Sequence, residues 1–118
     1  MSARPLIQEK FASIRKGLLE FLILKIIASD KVYVADMLRL LSTTEFATQE
    51  GTLYPLLLRL ENEGAIASDW GPSANNRRAR FYRLTAAGRR QLQAETRSWQ
   101  ETTALIARFF DMTAEDSR

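Results

Sequence analysis

The chain has no cysteine and no histidine. Disulfides, thiolate or imidazole metal sites, cysteine nucleophiles and imidazole acid/base chemistry are therefore excluded, together with imidazole pH sensing and thiol redox sensing. Only carboxylates, lysines and hydroxyls remain for catalysis. A signal-peptide pattern is missing as well, because charges run through MSARPLIQEKFASIRK. The longest apolar run is too short to span a bilayer and is interrupted by Glu20 and Lys25. No membrane segment is expected, and the cytoplasm is the expected compartment.

One stretch lacks acidic residues altogether. Between Trp70 and Ala94 stand Arg77, Arg78, Arg80, Arg83, Arg89 and Arg90 with no Asp, Glu or Lys, although the whole chain carries a net charge of only +3. All the excess positive charge sits there, and the remainder is slightly acidic. Such a segment points to a polyanion, because phosphate contacts supply much of nucleic-acid affinity and the guanidinium fork suits phosphate. The plainer alternative is a solvated loop with no partner. With 118 residues, one small domain is expected, and a helix reaching beyond its core needs a partner to cover it.

What is present is organised around residues 48–64, TQEGTLYPLLLRLENEG. Leu53, Leu56, Leu57 and Leu60 fall on one face of an α-helix, while Thr48, Gly51, Thr52, Pro55, Arg59 and Asn62 make a polar side able to press into a groove. Gly64 fits a left-handed C-terminal cap, and either Thr48 or Thr52 can cap the start, with Pro55 favouring the later one. Ahead of this helix, Leu6, Ile7, Phe11 and Ile14 form a weak lead-in, as the start of a helix or as a packed arm. The stripe Leu18, Leu19, Leu22, Ile23, Ile26 and Ile27 is the first core helix. A short second helix over Val34–Leu41 buries Val34, Met37, Leu38 and Leu41, and Phe46 fills the space before the third. Two short helices joined by a polar turn form a helix-turn-helix, whose second helix reaches base edges.

Past Gly64 the period becomes extended. Ala65–Trp70 and Arg80–Leu84 alternate around a turn-rich segment ending in Arg77-Arg78, which predicts a β-hairpin projecting into solvent, with Arg77 and Arg78 near its tip and Arg80 at the base of the return strand. Beside a helix-turn-helix this is a wing, able to lie over phosphates. Thr85 then caps a last helix in which Leu92, Trp99 and Ile106 recur every seven residues with Phe109 or Phe110 beyond, a seam calling for the same helix of a second subunit. Leu92 is expected to pack on its own domain. Trp99 is expected to lie too far along a straight helix to do so.

Gly51-Thr52-Leu53-Tyr54-Pro55, then Arg59-Leu60-Glu61 and Gly64, Trp70, Arg78-x-Arg80-x-Tyr82 and Leu84-Thr85-x-x-Gly88, taken together, resemble the PadR family of bacterial transcriptional regulators. The match runs from about Gly17 to Trp99. The resemblance implies a mainly α fold with a small β-hairpin: a winged helix-turn-helix over residues 1–84 and a C-terminal dimerisation helix and tail over 85–118, as in the family's small-subunit branch. It implies a homodimer on double-stranded DNA, repressing a nearby promoter and released by a small aromatic or cationic effector, with no cofactor or metal. Carried over, Gln49, Thr52, Tyr54 and Arg59 face DNA from the recognition helix and Arg77, Arg78 and Arg80 from the wing. Tyr54 either meets a phosphate or packs on the second helix. Leu92, Trp99, Ile106, Phe109 and Phe110 pair the subunits. Trp99, with Phe109 or Phe11, is the candidate effector platform, with plain dimer packing as the alternative. The chain departs from the family at Leu58, where a basic or polar residue is common, and at Val32-Tyr33, where a glycine commonly precedes the tyrosine. The other reading is a winged-helix interaction module that does not bind DNA. Catalysis ranks last, since Glu61, Glu63, Asp111, Glu115 and Asp116 read as solvated carboxylates.

Overall fold

The computed structural model describes residues 3–29, 31–46, 49–72 and 77–116, with side chains from 11 to 112 within them. Thr48, the hairpin tip at 73–76 and the side chains of Leu6 and Ile7 lie outside the described residues. The elements run α1 (Ala3–Ile27), β1 (Val32–Tyr33), α2 (Val34–Ser42), α3 (Glu50–Asn62), β2 (Ile66–Pro72), β3 (Arg78–Leu84) and α4 (Ala86–Asp116). The three strands form an antiparallel sheet in the order β1-β3-β2.

α1 is a single helix through Gly17, so the lead-in and the first core helix are one element. Its second half buries Ile23, Leu24 and Ile27 against Met37 and Leu41 of α2, and against Leu53, Leu57 and Leu60 of α3. Phe46 is half-buried against this core, and Arg15 lies over its ring at 4.6 Å while donating to the Glu45 carbonyl at 2.6 Å. The α2–α3 connection is thus pinned to α1.

α3 is capped by neither candidate threonine. Gln49 is its N-cap in an extended conformation, and its carbonyl accepts the N–H groups of Thr52 and Leu53. Thr52 is therefore inside the helix, and Pro55 is tolerated within it at the cost of one backbone bond. At the other end Gly64 has φ 82°, and the N–H groups of Gly64 and Ala65 return to the carbonyls of Glu61 and Leu60, closing the helix as expected.

β1 is an addition to the expected hairpin. Val32 pairs with Tyr82 and Tyr33 with Phe81, so Val32 is buried and Tyr33 packs edge-on to Phe81 at 5.9 Å. The Tyr33 hydroxyl donates to the Pro72 carbonyl at 2.7 Å. Gly71 leaves room for this reach, since a Cβ there would stand 3.0 Å from that hydroxyl. α4 is joined to the core by Thr85, whose Oγ1 donates to the Gly64 carbonyl at 2.6 Å and accepts the Gly88 N–H at 2.9 Å. Gly88 cannot carry a side chain, because a Cβ would fall 1.9 Å from the Ala65 oxygen.

Candidate nucleic-acid interface

Residues two apart in a strand share a face, and in β3 that face changes character along its length. Leu84 and Tyr82 are buried in the core, whereas Arg80 and Arg78 continue the same row beyond it and are exposed. Their partners across the hairpin are Ile66, Ser68, Trp70 and Pro72 in turn. Arg80 is thus opposite Trp70 in the outer half of the wing, not at its base. Both guanidinium groups lie over the indole of Trp70, at 5.6 Å for Arg80 and 5.7 Å for Arg78. Such contacts contribute about 0.5–1 kcal/mol each at exposed sites and limit how far the side chains wander.

The wing faces the leading end of α3 across a groove of about 770 Å³, whose walls include Tyr33, Arg39, Glu50, Tyr54, Arg78 and Arg80. Tyr54 is exposed and borders this groove. Arg39, not singled out from the sequence, enters it from α2 beside Asp36, to which it is paired at 3.0 Å. Its position off the apolar stripe of α2 was the available signal. Arg77 is exposed at the start of the return strand, and Gln49 is exposed at the start of α3.

Thr52 and Arg59 lie elsewhere. They line a second groove of about 330 Å³ with Lys16, Leu19, Pro55 and Leu56, on the flank of α3 that faces α1. Arg59 pairs with Glu20 of α1 at 2.5 Å and with Glu63 at 3.2 Å, and the Glu20 hydrogen bond holds the guanidinium above its ordinary pKa. The structure therefore separates Arg59 from Tyr54: its charge is answered by two carboxylates, and its groove is the one between α1 and α3.

The C-terminal helix divides at Trp99. Leu92 is buried in the chain's own core, and Trp99 packs on Phe21 of α1 with ring centroids 6.2 Å apart. The expectation that Trp99 lies out of reach of its own domain is corrected, because α1 extends alongside α4 and supplies the ring. Phe11 stands ten residues before Phe21, about 15 Å away along α1, so within one chain Trp99 meets Phe21 and not Phe11. Beyond Trp99 every residue from 100 to 112 is exposed, including Leu105, Ile106, Phe109, Phe110 and Met112.

Three helices, a hairpin carrying arginines over the end of the third, and an added strand from the α1–α2 connection define a winged helix-turn-helix protein. Residues 23–94 match the Transcriptional regulator PadR-like family, and the chain belongs to that family of transcriptional regulators. It is 37% identical over 74 residues to the Transcriptional regulator Rv3488 of Mycobacterium tuberculosis, covering 63% of this chain and 68% of that one. Among solved structures it resembles a PadR-like transcription factor from Bacteroides fragilis (30% identity, TM-score 0.72, 86% and 98% of the two chains). It is also similar to a PadR-like transcriptional regulator from Bacillus cereus (29% identity, TM-score 0.75, 83% and 96%). Among the described residues no helix is long and apolar enough to cross a membrane.

Proposed function

We propose that this regulator binds double-stranded DNA as a homodimer and represses transcription, with residues 1–84 as the DNA-binding part and 85–118 as the dimerisation part. The observation that carries this reading is the groove between α3 and the wing, where Arg39, Arg78 and Arg80 surround the leading end of a helix able to enter a major groove. Gln49 and Tyr54 meet the duplex from α3, and Arg77, Arg78 and Arg80 hold its backbone. Thr52 approaches from the α1 flank, and Arg59 acts at most indirectly, through its pairing with Glu20.

Dimerisation through the distal half of α4 is supported by shape. The radius of gyration is 17.6 Å, whereas about 13.5 Å is usual for a compact chain of this length. Two recognition helices then address successive major grooves about 34–36 Å apart on an inverted repeat. A small aromatic or cationic effector seated against Trp99, where α1 meets α4, changes that separation and releases the operator.

The test is footprinting of the DNA upstream of this protein's own gene and of neighbouring promoters at two salt concentrations, with Arg78→Ala/Arg80→Ala alongside. Protection of an inverted repeat is expected, weakening with salt, with a salt slope shallower by about 2 in the double variant. Absence of protection at low salt would sink the regulator reading and leave the protein-interaction module, with Leu58 as its apolar contact.

A further inference from the structure

The arginines account for backbone attraction, but the outermost stripe of α3 carries none of them. Leu53, Leu57 and Leu60 define the buried face of this helix, Glu50 and Tyr54 lie towards the wing, and Thr52 and Arg59 lie towards α1. At about 100° per residue, the direction opposite the buried leucines belongs to Gly51, Pro55, Leu58 and Asn62, all exposed. Up to Asn62 the stripe offers no hydrogen-bonding side chain. Leu58 is its largest group and is 59% exposed. The charges of α3 are placed off it: Glu61 accepts the Ser68 hydroxyl at 2.7 Å, and Arg59 is held by Glu20 and Glu63.

Ahead of Asn62, at its trailing end, this surface has no side chain that reads donors and acceptors on base edges. The apolar group a major groove does display is the C5 methyl of thymine. We propose that Leu58 is a specificity-determining residue that packs on a thymine methyl in each half-site, with Pro55 beside it. This rests on the DNA-binding reading and goes beyond it in naming the base and the side chain that selects it. Duplex DNA is the occupant because the stripe adjoins the groove in which Arg39, Arg78 and Arg80 outnumber Asp36 and Glu50, leaving the two wing arginines to meet phosphate. Leu58 adds nothing to the core, so its replacement leaves the fold intact.

The experiment uses the full-length chain and its Leu58→Ala variant, each selecting duplexes from a randomised pool at low salt. The duplex recovered by the unaltered protein is remade with deoxyuridine at single thymines, which removes only the methyl. The expected result is a fixed thymine in each half-site, a loss of affinity of roughly fourfold when its methyl is removed, and no such loss for Leu58→Ala. An equal loss in both proteins, or no thymine preference in the unaltered one, overturns the role of Leu58 while leaving DNA binding in place. Failure of the unaltered protein to retain any duplex removes the DNA-binding reading and this proposal with it.

Discussion

Arg80 and Tyr82 are two residues apart on one face of one strand and have opposite surroundings. Tyr82 is 2% exposed, and burial pushes its phenol above its ordinary value; nearby Arg80 opposes the shift, while Glu61 and Tyr54 reinforce it. Below about pH 10 the phenol is neutral in both folded and unfolded chains and adds no pH dependence. Above that, the unfolded chain gives up the proton more readily, so stability falls as pH rises through the folded value. Denaturant titrations at about pH 9 and about pH 11 are expected to show a smaller alkaline loss for Tyr82→Phe than for the unaltered chain. Alternation in the sequence revealed this row but not the point where core gives way to solvent, because that depends on where α3 stops covering the sheet. For the same reason Arg59 read as a DNA-facing cation: its partner Glu20 is 39 positions away in the chain, and no local pattern joins them.

Among the elements, those closed by local chemistry were the most legible. Gly64 and Thr85 announced the end of α3 and the start of α4, because a left-handed cap and a hydroxyl cap are each made within a few residues. The start of α3 was not legible, since Gln49 caps with its backbone alone. Nor was β1, whose two residues become a strand only by pairing with Tyr82 and Phe81. The Thr85-x-x-Gly88 pattern also holds something the sequence did not explain, namely the contact of Gly88 with the Ala65 carbonyl. Gly88→Ala forces α4 away from that carbonyl and is expected to cost about 3 kcal/mol, read as a lowered denaturation midpoint at unchanged m-value. A surface glycine-to-alanine change in a helix would instead stabilise.

At the scale of the whole molecule, α4 spans about 46 Å and its distal half leaves the domain that the first half helps to build. Leu105 and Ile106 are about half exposed there, the placement expected of a seam between subunits. Ile106→Asp is expected to shift the chain from dimer to monomer in sedimentation at micromolar concentration, with helix content and denaturation midpoint of the monomeric core little changed. A dimer that survives this change would move the interface elsewhere. The heptad spacing picked out the exposed Ile106 but set Trp99 in the same row, because the side chain that covers Trp99 comes from α1, far away in sequence.

The joint at Thr85 and Gly88 makes α3 and α4 behave as the two arms of a crank. The carbonyls of Gly64 and Ala65, at the trailing end of α3, are gripped by Thr85 at the root of α4, and Gly88 brings the two backbones together without a side chain between them. A tilt of the long arm is carried to the short one rather than absorbed at a flexible corner. In the proposed dimer, the angle at which the two long arms cross therefore sets the distance between the two recognition helices.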